Sequence, residues 1–215
     1  MSATPSEMHE KIGPSSRAHH PAPVRSRVCE VTRTYLEMAT LQQLVPGQSP
    51  DVPVSLEPIA PCPVDTWRAL YRQVGAAWHW HDRDAWEQSA LVAHLARPEI
   101  HIFRVVAALD PSWTDAAGFL ELEQHDDGSV EIAYIGLDPR ALGRRLGSWL
   151  VTTAVQTAFA LGANRVWLHT CTLDAPAALP NYVRRGFSIT RTEMYETSIR
   201  LDEPAGMPSS TTMST

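Results

Sequence analysis

The chain has 215 residues, of which 44% are hydrophobic and 20% charged, and its formal net charge is −6 at pH 7. This composition is typical of a soluble chain that forms one domain with short terminal extensions. The negative charge disfavours a nucleic-acid-binding surface, which needs a basic patch. No apolar run approaches the roughly 20 residues that a membrane-spanning helix requires.

The N-terminal residues and the cysteines indicate which targeting signals and cysteine sites to expect. The N-terminal residues lack the charged-then-apolar pattern of a secretory signal, which favours a cytoplasmic protein. The cysteines are odd in number and form no C-x-x-C pair, so they predict neither a disulfide framework nor a thiolate zinc site. They are interpreted as small apolar fillers, at Cys29, Cys62 and Cys171.

Two terminal segments differ in composition from the rest. Residues 1–28 are rich in Pro, Ser and His and carry almost no apolar periodicity, so burial cannot offset the entropy of ordering them. Residues 203–215 contain prolines and a Ser/Thr-rich end. A disordered leader, a domain over residues 29–202 and a disordered tail are therefore predicted.

Hydrophobic periodicity predicts alternating strands and helices in the domain. Strands are predicted over residues 29–38, 52–58, 100–109, 118–124, 130–137, 165–171 and 187–201, the last containing one strand or two. Helices are predicted over residues 63–74, 83–96, 143–161 and 175–185. Asp126-Asp127-Gly128 indicates a hairpin between two of the strands. This order predicts an α/β domain with a mixed sheet flanked by helices, and not a doubly wound nucleotide fold.

A glycine-containing turn opens the longest predicted helix. The strand that ends near Leu137 leads through Asp138-Pro139-Arg140 into a segment with glycines at positions 143 and 147. A turn at a helix N-terminus presents unpaired backbone N–H groups and the positive end of the helix dipole, which suits a pyrophosphate. Arginine side chains nearby would add charge for phosphate oxygens. Ordinary packing with solvated arginines remains the alternative.

At this point the sequence resembles the GNAT superfamily of N-acetyltransferases. The family signature here is Q/R-x-x-G-x-G/A, and it is followed by a strand and a short helix with a tyrosine four residues before Gly-Phe. Tyr182 precedes Gly186-Phe187 at that interval. The sequence departs from the pattern in three places, at Leu142, Arg145 and Ala175. The resemblance implies a mostly antiparallel mixed sheet with splayed middle strands and flanking helices.

The resemblance also implies acetyl-CoA as co-substrate and no metal. Its pyrophosphate would lie on the glycine turn, and its pantetheine arm would lie between the strands 131–137 and 165–171. The residues implied for acetyl-CoA binding are Leu137, Arg140, Gly143, Arg144, Arg145, Leu146, Gly147 and Ser148. Gly136 within an apolar strand fits either a bulge that helps the strands to part or a packing glycine.

Two residues are candidates for the chemistry of acetyl transfer. By resemblance the Tyr182 phenol is the acid or orienting group for the thioester sulfur; packing against Phe187 is the alternative. Glu131 is the candidate base, because strand alternation places it with Ala133 and Ile135 on a face that Leu120 and Leu122 are expected to share. Apolar neighbours are expected to raise the pKa of the Glu131 carboxyl, as a general base that works near neutral pH requires. A solvent-facing glutamate is the alternative.

Further residues are candidates for the acceptor side. Two tryptophans and two histidines lie close together between the first two helices, where the resemblance implies a loop that covers the acceptor. Glu121 is expected on a polar rim with Glu123, while His169 could relay a proton or be a structural histidine. No third ligand completes a metal site with His79 and His81, so no metal is predicted. The candidate acceptor-binding residues are Trp78, His79, Trp80, Glu121 and His169.

These observations predict an N-acetyltransferase that moves an acetyl group from acetyl-CoA to a primary amine of a small molecule or peptide by direct attack. The altered signature leaves open a non-catalytic acyl-CoA-binding module with the same fold. A transferase for a longer acyl group or an oxygen acceptor is a further alternative. Neither nucleic acid nor membrane is predicted as a partner, and the chain is expected to be a monomer or a homodimer.

Overall fold

A computed structural model describes residues 26–200, with the backbone alone at Arg200. Seven strands form one sheet. They are β1 Ser26–Met38, β2 Val54–Pro58, β3 Ile100–Ala107, β4 Gly118–Gln124, β5 Ser129–Leu137, β6 Arg165–Cys171 and β7 Ser188–Arg200. The helices are α1 Val64–Gly75, α2 Gln88–Leu95, α3 Leu146–Ala160 and α4 Ala178–Arg184. The predicted leader to residue 25 and the predicted tail lie outside the described residues; β1 begins at Ser26, before the predicted start of the domain.

The sheet is mixed and mostly antiparallel, as predicted. The strand order is β2-β3-β4-β5-β6-β1-β7, and the β5–β6 pair is parallel. That pair is hydrogen-bonded from Ser129 opposite Arg165 to Glu131 opposite Trp167, at the start of both strands. Beyond this point the two strands diverge, which confirms the predicted splayed middle strands.

Helices cover both faces of the central strands, and the alternation of side chains decides which residues meet which helix. On one face, Leu122, Ile132 and Leu168 belong to a core that includes Leu146 and Leu150 of α3. On the other face, Phe119 packs with the aromatic and aliphatic residues of α1 and α2. The α1 members of that second core are Trp67, Leu70, Tyr71 and Val74, at the helical spacing that predicted this helix.

A β-bulge lies in β5 at Ala133, not at Gly136. Glu121 pairs with Tyr134 and the next residue, Leu122, pairs with Ile132, so Ala133 is the extra residue. Gly136 pairs regularly with Phe119. A Cβ on Gly136 would lie 2.4 Å from Cγ1 of Val74. Of the two interpretations left open, the packing glycine is therefore correct.

Three helices begin at least three residues later than predicted, each for a local reason. The segment before α2 is a loop because Arg83 turns inward to a buried carboxylate instead of continuing a helix. The helix α3 begins at Leu146 because Gly143 and Arg145 have φ values of 80° and 62°, which a right-handed helix excludes. The last helix, α4, begins at Ala178 after a turn in which the Ala178 amide donates to the Ala175 carbonyl. Among residues 26–200, no helix has the length and apolar character needed to span a bilayer.

Candidate functional site

A cleft of about 930 Å³ opens where β5 and β6 part. One end lies at the turn before α3, where Gly143, Arg145 and Gly147 line it. Another end lies between the loop after α1 and the second half of β6, where Trp80 and His169 line it. The cleft thus joins two groups of residues that are far apart in sequence.

The turn before α3 leaves room and hydrogen-bond donors for an anion. A Cβ on Gly143 would meet no atom within 4 Å, and one on Gly147 would meet its nearest neighbours at 3.9 Å. The first amides of α3 have no partner one helical turn back, and they lie at the positive end of the helix dipole. Asn181 of α4 donates to the Gly147 carbonyl at 3.1 Å, which ties the two helices together beside the cleft. This geometry is suited to a phosphate or pyrophosphate.

The three arginines near this turn are not equivalent. Arg145 lines the cleft and forms an exposed ion pair with Asp51 at 3.0 Å. Arg140 does not line the cleft, because its guanidinium is bound to Asp138 at 2.8 Å and Asp115 at 2.9 Å. Arg144 also lies off the cleft, with its side chain 3.4 Å from the Leu109 carbonyl. The structure therefore brings one of the three arginines to the predicted anion site.

The remaining residues predicted to bind the cofactor differ in whether their side chains reach the cleft. Leu137 and Ser148 line the cleft together with Gly143, Arg145 and Gly147. Leu146 is 1% exposed and packs in the core, so its backbone amide, not its side chain, is available to a ligand. Leu142, which replaces the polar residue of the family signature, is exposed and also lines the cleft.

Tyr182 is buried in α4 and lines the cleft beside the parted strands. Its ring packs edge-on against Phe187, with 6.2 Å between the ring centroids. The packing contact that was the alternative to a catalytic role is therefore present as well. Burial, together with the negative charge of Asp174, raises the pKa of the Tyr182 phenol above its ordinary value. The phenol therefore stays protonated across the physiological pH range and is available as a hydrogen-bond donor.

Glu131 lies in a polar group and not among apolar side chains. It pairs across the hairpin with Glu123, so it shares a face with that residue and not with Leu120 and Leu122. The predicted face was wrong for two reasons. The hairpin register places Glu131 opposite Glu123, one residue away from Leu122. The bulge at Ala133 then reverses the alternation of β5, so that Ile135 lies opposite Leu120 on the other face.

Two histidines complete the group around Glu131. The carboxylate oxygens lie 3.3 Å from Nε2 of His125 and 3.7 Å from Nδ1 of His169, and the side chain is 15% exposed. A carboxylate with two imidazoles can accept and pass on a proton at the cleft. We refer to Glu131, His125 and His169 as the carboxylate–imidazole group.

The aromatic loop after α1 forms one wall of the cleft, as predicted. Trp78, His79, Trp80 and His81 all line it. Trp80 packs on the backbone at Gly75, where a Cβ would lie 2.6 Å from its ring. Asp82 accepts hydrogen bonds from the phenols of Tyr71 and Tyr134, which fastens the loop to α1 and β5.

Glu121 is not on a polar rim, because it is 0% exposed. Its carboxylate accepts from Nε1 of Trp67 at 2.7 Å and from Arg83 at 2.6 Å. Nε2 of His94 lies 3.0 Å from the same carboxylate. These partners come from α1, the aromatic loop and α2, so Glu121 joins three elements to β4. Glu123, its predicted companion, does line the cleft.

The predicted absence of metal concerns His79 and His81. In the described part of the chain, no group of three or more His, Cys, Asp or Glu side chains is arranged to hold a metal ion. His81 lies 3.0 Å from Asp84, and the rings of His79 and His81 are 6.4 Å apart.

Two residues near the site, His125 and Arg33, were not predicted from the sequence. His125 lies 3.3 Å from Glu131 across the hairpin, and the correct register would have identified it. Arg33 reaches the cleft from β1, which pairs with β6. No local pattern around Arg33 indicates this position, because it depends on pairing between strands more than a hundred residues apart in the chain.

Comparison with known proteins agrees with this architecture. The family model described as "Acetyltransferase (GNAT) family" matches residues 64–187. Mycothiol acetyltransferase from Mycobacteroides abscessus is 32% identical over 127 residues, which are 58% of this chain and 43% of that protein. This chain therefore spans less than half the length of that curated relative.

Solved structures show the same fold. The GCN5-related N-acetyltransferase from Sphaerobacter thermophilus aligns with a TM-score of 0.54 at 15% identity, covering 79% of this chain and 52% of that one. The GCN5-related N-acetyltransferase from Kribbella flavida aligns with a TM-score of 0.53 at 19% identity, covering 80% and 60%. The family match spans more than half of the chain and contains the glycine turn, the parted strands and Tyr182, so this protein belongs to the GNAT family of acetyltransferases.

Proposed function

We propose that this chain is an acetyl-CoA-dependent N-acetyltransferase that acts on a primary amine of a small molecule or peptide by direct attack. The observation that carries the proposal is the continuity of the cleft. It links the donor-rich start of α3, the protonated phenol of Tyr182 and the carboxylate–imidazole group around Glu131. A transfer between a large anionic donor and an amine needs all three kinds of group.

The cleft fits acetyl-CoA at two places. The open space over Gly143 and Gly147, next to the first amides of α3, suits the pyrophosphate. Where β5 and β6 part after Glu131 and Trp167, their facing backbone edges are available to an extended amide chain such as pantetheine. When bound, acetyl-CoA supplies an acetyl group activated as a thioester.

Glu131 is proposed to act on the amine. An ammonium group must lose a proton before its nitrogen can attack, and the Glu131 carboxylate is the acceptor proposed for that proton. The N–C bond then forms as the C–S bond breaks. His125 and His169 touch the carboxylate and support passage of the proton toward solvent.

Tyr182 is proposed to act on the sulfur. Its phenol is held protonated by burial and by the charge of Asp174, so it can donate a hydrogen bond or a proton to the departing thiolate. Asn181, the preceding residue, binds the Gly147 carbonyl and so fixes α4 relative to the anion site.

The acceptor is proposed to enter on the side of the aromatic loop. Trp78 and Trp80 offer flat apolar surface, while Glu123 and Glu131 offer negative charge that suits an ammonium group. The name of the curated relative, mycothiol acetyltransferase, supports a small-molecule acceptor.

The test is incubation of the full chain with acetyl-CoA and a panel of primary amines, read by release of free thiol and by the mass of the product. We expect thiol release that depends on the amine, with a product heavier by one acetyl group. The double variant Glu131→Gln/Tyr182→Phe should lose this activity and retain acetyl-CoA binding. Glu99→Gln, at an exposed glutamate outside the cleft, is the matched control. Acetyl-CoA binding without turnover by any amine would instead favour a non-catalytic acyl-CoA-binding module.

A further inference from the structure

A positively charged cluster borders the acceptor side of the cleft. Arg33 of β1 lines the cleft, with Cys171 of β6 opposite it on one side and Glu193 of β7 on the other. Glu193 also accepts from the Tyr35 phenol at 2.7 Å and pairs with Arg191 at 3.2 Å. Two guanidinium groups therefore share one carboxylate, which leaves the cluster with a net positive charge.

The Arg33 guanidinium is weakly held compared with other arginines of this chain. Its polar contacts are long, at 3.4 Å to the Tyr195 hydroxyl and 3.5 Å to Glu193, and its guanidinium carbon lies 4.7 Å from the centre of the Tyr195 ring. Its buried Nε has no hydrogen-bond partner among the described residues. By contrast, Arg104 binds Glu57 through two nitrogens at 2.9 and 3.1 Å. The Nε atom is out of reach of a ligand, but the side chain is 33% exposed and lines the cleft, so the terminal nitrogens with their long contacts retain donor capacity for a ligand there.

The sheet register relates Arg33 to the carboxylate–imidazole group. His169 lies opposite Tyr35, and Arg33 is two positions away along β1 on the same face. Two positions along a strand correspond to about 6.6 Å. One wall of the cleft therefore carries negative charge at Glu131, next to His169, and positive charge a short distance further on.

We propose that Arg33 is a specificity-determining residue that binds a carboxylate of the acceptor. The acceptor class is then compounds with a primary amine and a carboxylate joined by a short spacer, such as amino acids and small peptides. A guanidinium binds a carboxylate through two parallel N–H bonds, and one negative charge matches the net charge of the cluster. This inference rests on the proposed function, because it assumes that the amine lies at Glu131.

The experiment compares acceptors that differ only in the carboxylate. Glycine, β-alanine and γ-aminobutyrate are assayed beside their primary amides with the full chain and acetyl-CoA. We expect wild type to prefer at least one amino acid over its amide. Arg33→Gln should raise KM for that amino acid roughly 10- to 150-fold, the range for losing a hydrogen bond to a charged group, with little change for the amide.

Two further variants separate recognition from folding. Arg33→Lys keeps the charge without the paired N–H geometry and should fall between wild type and Arg33→Gln. Arg104→Gln, which removes an exposed arginine on β3, should leave the preference unchanged. A melting temperature and an acetyl-CoA affinity close to wild type would show that Arg33→Gln is folded.

The outcomes distinguish the two proposals. Acetylation of the amino acids and of their amides with equal efficiency would overturn the role of Arg33 and leave the proposed function intact. Absence of acetylation with every amine would overturn the proposed function. In that case calorimetric titration of the same amino acids into wild type and Arg33→Gln tests the carboxylate site alone, and binding that is absent or independent of Arg33 would refute it.

Discussion

The ion pair between Arg83 and Glu121 offers a sharp test of how the aromatic loop is held. Arg83→Met removes the positive charge but keeps an unbranched side chain of similar length. Glu121 is 0% exposed, so its carboxylate would stay buried without the cation that lies 2.6 Å away. Trp67 and His94 would still contact the carboxylate but could not replace the lost guanidinium.

The magnitude follows from that burial. Removing one partner of a buried ion pair destabilises a protein by about 3–5 kcal/mol, because an uncompensated charge remains in the interior. For a chain of this size, each kcal/mol corresponds to a change in melting temperature of about 2–4 °C. We therefore expect Arg83→Met to lower the melting temperature by roughly 6–20 °C.

The assay is thermal or urea denaturation, with Arg97→Met as the matched control. Arg97 pairs with Glu123 at 2.8 Å, but its side chain is 44% exposed, so solvent screens the pair. Such pairs contribute about 1 kcal/mol or less. The double variant Arg83→Met/Glu121→Gln should be more stable than Arg83→Met alone, because the neutral amide no longer leaves a charge buried. If Arg83→Met costs no more than Arg97→Met, the buried pair does not anchor the loop.

The same pair predicts a pH dependence. Burial alone would raise the pKa of the Glu121 carboxyl, but the hydrogen bond from His94 and the charge of Arg83 outweigh it and hold the pKa below its ordinary value. Because the folded pKa is lowered, this stabilisation is present above the unfolded value of about 4.3 and declines as the pH falls below it. The stability difference between wild type and Glu121→Gln should therefore shrink as the pH falls below about 5. A difference that stays constant with pH would show that the pKa of this carboxyl is the same in the folded and unfolded states, and a difference that shrinks as the pH rises would show that the carboxyl is neutral in the folded protein.

Three further predictions concern the proposed chemistry. Acetyl-CoA at a hundredfold excess over Kd should stabilise the wild type by about 2.7 kcal/mol, and Gly147→Glu should abolish the thermal shift by placing a carboxylate at the phosphate site. Tyr182→Phe should lower kcat by roughly ten- to a thousandfold with little change in acetyl-CoA affinity; steady-state rates equal to wild type would exclude the phenol from the reaction. Glu131→Gln should move the acidic limb of the kcat/KM profile to higher pH, because a more basic solution can deprotonate the amine without the carboxylate. An unmoved limb would exclude Glu131 as the base.

The glycine turn before α3 could be predicted from the sequence because its determinants are local. Gly143 and Gly147 lie within one turn of the start of α3, and helix-end geometry follows from a few neighbouring residues. The interval between Tyr182 and Gly186 is likewise local, since one short helix and its terminal turn contain both. The position of Arg140 off the cleft could not be predicted in this way, because one of its two carboxylate partners, Asp115, is brought near only in the folded chain.

The acceptor side depended on the tertiary structure. The hairpin register places Glu131 opposite Glu123, and one extra residue at Ala133 puts Ile135 on the other face; a bulge leaves no signature in an alternating apolar strand. The sequence alone indicates that Glu121 is a polar strand residue. Its buried position depends on Arg83, Trp67 and His94, which come from three other elements. The sequence by itself determined the order of strands and helices and the glycine turn before α3, because periodicity and helix-end geometry act over a few residues. Strand register, buried charge pairing and the approach of β1 to the cleft were decided by contacts between distant segments, which only the folded sheet establishes.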